Sequence, residues 1–131
     1  MLLRIPQTLC DANYVNNPAI ESPETGLQFL IHPDAESVDL SKFELYDGTR
    51  ITCRVSGGAT VVTLDAGKAR LVVLKIQADV PPAGGISRDG APLTEMPLTA
   101  DFDAATQGWR HDGGFTFVRF ACTGTATKLT L

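Results

Sequence analysis

The sequence predicts an all-β domain, an antiparallel β-sandwich or partly closed barrel of about eight short strands. Apolar residues recur with period two or in short runs, as in half-buried strands. Gly-, Asp- and Pro-containing turns interrupt them at intervals too short for helices of ordinary length. A chain of 131 residues with 44% hydrophobic content suits one core rather than several.

The elements follow in order. The first 25 residues, with Pro6, Pro18, Pro23 and the pair Asn16-Asn17, read as an extended leader of the kind that ends a preceding domain, and 26–131 as the sandwich. Leu27-Gln28-Phe29-Leu30-Ile31 is the first clear strand. Phe43-Glu44-Leu45-Tyr46 runs into the turn Asp47-Gly48, and Thr49 to Val55 then alternates polar and apolar, which together describe a hairpin. Ser56-Gly57-Gly58 turns the chain into a strand over Thr60 to Leu64, and Asp65-Ala66-Gly67-Lys68 turns it again. Ala69 to Ile76 is the most apolar run and belongs at the centre of a sheet. Pro81-Pro82-Ala83-Gly84-Gly85 ends it. Arg88-Asp89-Gly90 is a further turn, Asp101 to Gln107 supplies at most a helical turn, and Gly113-Gly114 precedes strands at Phe115 to Phe120 and Thr127 to Leu131. Alternation within these strands predicts Ile51, Val55, Leu71, Val73, Phe115 and Phe117 as inward-facing.

Charge narrows the function. Eleven basic residues against 15 acidic give a net charge of −4, which supplies no positive field for a phosphate backbone or anionic lipid, so neither nucleic acid nor membrane is an expected partner. Cys10, Cys53 and Cys122 are odd in number and far apart, without a C-x-x-C pair. Cys53 alternates with Ile51 and Val55 as a small buried hydrophobe would. Met1 to Pro6 lacks the apolar run of a signal peptide, no segment has membrane-spanning length, and no sequon follows Asn13, Asn16 or Asn17. For a full-length chain these features lean towards the cytoplasm.

Catalytic constellations are not found. His32 precedes Pro33 at a strand end and His111 lies in Trp109-Arg110-His111-Asp112-Gly113-Gly114; neither accompanies a G-x-S-x-G elbow, an H-E-x-x-H pair or a phosphate loop. Asp101-Phe102-Asp103 starts like a calcium loop, but Thr106 occupies the position that needs Gly and Asp112 the one that needs Glu, so a solvated loop is expected and no metal or other cofactor. No pair of carboxylates stands out for glycoside hydrolysis. Sugar binding would need an exposed aromatic ring, for which Trp109 and Tyr46, with Tyr14, are the candidates. An open Trp109 ring favours sugar binding, and a buried one favours a scaffold.

The order of several segments carries a resemblance. Arg4-Ile5-Pro6-Gln7 through Asn17-Pro18, Leu27 to Pro33, and Phe43-Glu44-Leu45-Tyr46-Asp47-Gly48 resemble the segments behind the catalytic barrel in family-31 glycoside hydrolases, the α-glucosidase and α-xylosidase group. Arg88-Asp89-Gly90, Gly108-Trp109 with Asp112, and Val118-Arg119-Phe120 resemble that group's C-terminal β-sandwich. The family's nucleophile and acid/base are Asp residues of the barrel, to which nothing here corresponds, so no catalytic residue carries over. The resemblance implies a non-catalytic accessory sandwich whose partner is a glycoside hydrolase's catalytic barrel or a second copy of itself. A carbohydrate-binding module and an immunoglobulin-like structural or adhesive domain are the alternatives.

Overall fold

Short strands separated by tight turns bury an apolar face by stacking two sheets, and the computed structural model, which describes residues 2–6, 27–33, 41–45, 48–65 and 69–131, has that form. Its strands are β1 (Leu2–Pro6), β2 (Leu27–Ile31), β3 (Ser41–Glu44), β4 (Arg50–Ser56), β5 (Ala59–Asp65), β6 (Arg70–Gln77), β7 (Ser87–Arg88), β8 (Ala91–Pro92), β9 (Gly108–Asp112), β10 (Phe115–Cys122) and β11 (Thr127–Thr130), with one short helix, α1 (Thr99–Ala104). One sheet has the order β1-β2-β6-β10-β9 and the other β3-β4-β5-β11-β7-β8. The pairing is antiparallel except between β2 and β6, which run parallel. No barrel closes, because each sheet keeps two edge strands.

The hairpins follow their turn chemistry. Gly57 and Gly58 hold φ of 60° and 81° between β4 and β5, and Gly113 and Gly114 hold 57° and 80° between β9 and β10. Positive φ at both central residues is what a two-residue turn needs to match the twist of its strands. Gly48 holds φ of 82° between β3 and β4, and Phe43 pairs opposite Ile51 as alternation requires. β6 lies at the centre of its sheet, between β2 and β10. Leu2–Pro6, at the start of the expected leader, forms β1 on the outer side of β2. Residues 7–25 of the leader lie outside the described residues.

The core is filled from both sheets. Phe29, Ile31, Val72, Leu74, Ile76, Val118 and Phe120 face Ile51, Val62, Leu64 and Leu129, each at most 1% exposed. This corrects the expected phase of two strands. Ile51 is buried as expected and Val55 partly so, but Leu71, Val73, Phe115 and Phe117 are only partly buried and alternate with the core residues, which puts them on the outer face. A one-residue slip reverses every side chain of a strand. In β6 and β10 both phases carry apolar residues, so alternation alone could not choose between them.

Candidate functional site

Trp109 is one of the candidate sugar platforms named from sequence, and β9 turns it inward. Its ring is 5% exposed and its indole N–H donates to the Leu93 carbonyl at 3.2 Å. The backbone around it is also tied down: Trp109 N–H donates to Thr94 O at 3.0 Å and Met96 N–H to Trp109 O at 2.7 Å, so residues 94–96 run along the edge of β9. Gly108 permits this approach, since a Cβ there would lie 2.8 Å from Met96 Sδ and 3.2 Å from Thr94 O. A ring held in this way offers no open face to a pyranose. Tyr46 and Tyr14 lie outside the described residues.

The other singled-out residues do not converge. His111 Nδ1 is 3.1 Å from the hydroxyl of buried Thr116, and His32 Nδ1 meets Gln77 Oε1. Asp101 and Asp103 are exposed on α1, while Asp112 accepts from Arg110 Nη1 at 3.2 Å. Among the described residues no group of three or more His, Cys, Asp or Glu is placed to hold a metal.

Cys53 and Cys122 are buried. Burial pushes the Cys122 thiol up to about 11 against the opposing pull of Arg88 and Arg70, and it raises Cys53 as well. Only the thiolate attacks, and a thiol raised in this way stays protonated at pH 8. Ellman's reagent should therefore modify both at pH 8 only as fast as the protein unfolds, and at once in urea. Peptide mapping would identify them, and rapid native labelling of Cys122 would contradict the buried thiol. The raised pKa also fixes a sign. The unfolded thiol ionises first, so the contribution of Cys122 to stability is complete below pH 9 and is lost as pH rises towards 11.

The chemistry that does gather lies on the outer face of the five-stranded sheet. There Leu30 of β2, Leu71 and Val73 of β6, and Phe115 and Phe117 of β10 are all partly exposed. Cations are laid over the rings. Lys75 Nζ sits 4.2 Å from the Phe115 centroid and 5.7 Å from that of Phe117. Arg110 Cζ lies 4.5 Å from Phe117 and 5.6 Å from Phe102 of α1. Arg119 Nε donates to Ala105 O at 2.8 Å, which fastens the segment after α1 to β10. Phe102 is 3% exposed although it stands apart from the main core, so α1 covers part of this face beside β9. The opposite face differs. The six-stranded sheet presents Thr52, Arg54, Thr63 and Lys128 outward, with apolar Val61 among them, a mostly polar surface.

A crevice of about 510 Å³ opens at one end of the sandwich between Val55, Thr60, Ile76, Val80, Pro82 and Leu131. Among the described residues no aromatic side chain lines it.

No protein-family model matches the sequence, and no curated protein does. Solved structures do match. An uncharacterized protein of Listeria monocytogenes EGD-e superposes over 98% of this chain and 13% of its own, with a TM-score of 0.74 and 19% identity. A GH31 dextranase of Flavobacterium johnsoniae, solved with isomaltotriose, matches 90% of this chain and 17% of its own, with a TM-score of 0.68 and 19% identity. The chain shares its fold with part of a family-31 glycoside hydrolase. A cycloalternan-forming enzyme of Listeria monocytogenes, in complex with a pentasaccharide substrate, gives a TM-score of 0.68 at 19% identity over 81% of this chain and 10% of that enzyme. The chain thus spans 10 to 17% of the length of these proteins. The resemblance read from the sequence segments and the match in three dimensions point to the same enzymes.

Lys75, Arg110 and Arg119 escaped the sequence reading. For Lys75 and Arg119 the available signal was the composition of β6 and β10, whose charged residues are the three cations Arg70, Lys75 and Arg119 with no carboxylate, and whose apolar residues occupy both phases.

Proposed function

We propose that the chain is a non-catalytic accessory β-sandwich of a glycoside hydrolase, packing against the catalytic barrel and acting through that interface. The observation that carries this reading is the fold match, which takes in 81 to 98% of this chain but only 10 to 17% of proteins that include a dextranase and a cycloalternan-forming enzyme. A unit of that proportion fits one domain of a longer enzyme. Its own residues support the same role: the described carboxylates are scattered over strand ends, turns, the 94–96 segment and α1, and Glu44, Asp89 and Asp112 pair with arginines. The buried Trp109 ring weighs against a free-standing sugar-binding module.

Purified chain incubated with chromogenic α-glucosides and α-xylosides should release no chromophore above the buffer rate. Turnover that disappears when one of its own Asp or Glu residues is replaced would assign the domain an active site and end the accessory reading.

A further inference from the structure

Antiparallel-rich sheets commonly bury one face and hydrate the other, yet the five-stranded sheet turns Leu30, Leu71, Val73, Phe115 and Phe117 outward as well as filling the core. We propose that its outer face docks an acidic, apolar surface of the catalytic barrel, with Phe115 and Phe117 as the apolar contact and Lys75 and Arg119 as its cationic contacts. This rests on the accessory-domain reading and adds the face and its chemistry.

Charge decides the occupant. The five strands contain one carboxylate, Asp112, and Arg110 already holds it. Asp101 and Asp103 on α1 are exposed beside β9, while β2, β6 and β10 bring Leu30, Lys75, Phe115 and Arg119 to this face without any acid of their own. Among the described residues Lys75 has rings and no carboxylate within ion-pair distance. Such a face is cationic on a chain whose net charge is −4. Two copies meeting through it would set one cationic face against the same face of the other while excluding water, and like charges so placed are penalised. A partner surface bearing carboxylates meets the same cations favourably, and aromatic or aliphatic side chains on it would cover the rings and strengthen the ion pairs by removing solvent. The six-stranded sheet is a weaker competitor, since its outward face carries Thr52, Arg54, Thr63, Lys128 and Thr130 around the apolar Val61.

Lysine placement makes the proposal testable, because Lys75 lies on the docking face while Lys42 and Lys128 lie exposed on the other sheet. Zero-length carbodiimide cross-linking of the native protein in the cells that make it would join lysine amines to neighbouring carboxylates, and peptide mass spectrometry would locate the bonds. The expected result is Lys75 linked to Asp or Glu of a glycoside-hydrolase barrel, in the same polypeptide or another. Lys75 linked to a second copy of this chain, recognised by mixed isotope labelling, would overturn the choice of occupant. A barrel linked through Lys42 or Lys128 and never through Lys75 would overturn the face while keeping the accessory role. No barrel linked through any lysine would overturn both. As an independent measure, Lys75→Glu should weaken association with the barrel by about tenfold or more and Lys128→Glu should leave it unchanged, with thermal melts confirming that both variants fold.

Discussion

Replacing Phe120 by Ala is expected to cost about 3–5 kcal/mol of stability, the usual range for emptying a fully buried aromatic site. Phe120 is 0% exposed and projects from β10 opposite Val72 of β6, between the two sheets, where its neighbours are themselves fixed in strands and collapse little into the space left behind. Phe117 lies three residues earlier on the same strand and faces the other way. Phe117→Ala leaves no cavity in the main core and removes only partly buried area and the stacking of Lys75 and Arg110, so a loss of about 1–2 kcal/mol is expected. Urea melts of the two variants test the phase of β10 directly. Equal losses, or a larger loss for Phe117→Ala, would put the core on the wrong side of the sheet.

That contrast marks where the sequence was legible. Strand positions from β2 to β6 and the hairpin turns could be read because backbone chemistry announces them: Gly48, Gly57-Gly58 and Gly113-Gly114 are residues that tolerate the required dihedrals. The side facing the core could be read in β4, where Arg50, Thr52 and Arg54 alternate with Ile51, Cys53 and Val55. It could not be read in β6 or β10, where Leu71 and Val73 are as apolar as Val72 and Leu74. The ambiguity is itself informative, since a strand apolar in both phases belongs to a sheet with something to cover on each side. β7 and β8, of two residues each, are too short to leave a periodic trace. Nor does the parallel pairing of β2 with β6 appear locally, because it joins segments separated by three strands of the other sheet.

Trp109 shows the same limit at a single residue. In sequence it begins a strand near the edge of the fold, the position of an exposed ring as much as of a covered one, and what covers it is the segment 93–96, brought alongside by hydrogen bonds that no local pattern encodes. The burial leads to an expected result. Trp109→Ala should destabilise the domain by about 3–5 kcal/mol, since it empties a site 5% exposed and leaves the Leu93 carbonyl without its indole donor. Trp109→Phe keeps most of the volume but still removes that donor, so about 1–3 kcal/mol is expected from the unpaired carbonyl alone. The residue is the one Trp of the chain, which lets fluorescence report on it without ambiguity. Its emission should be blue-shifted in the native state, move to the red on unfolding, and stay fixed during titration with maltose, isomaltose and xylose oligomers. A saturable shift with any of these sugars in the folded protein, together with a Trp109→Ala variant as stable as the parent, would show that the ring serves a ligand rather than the fold. Stability lost in both variants, with no response to sugar, assigns Trp109 to holding the 93–96 segment against the edge of β9, where it closes an edge strand that would otherwise expose its backbone to another chain.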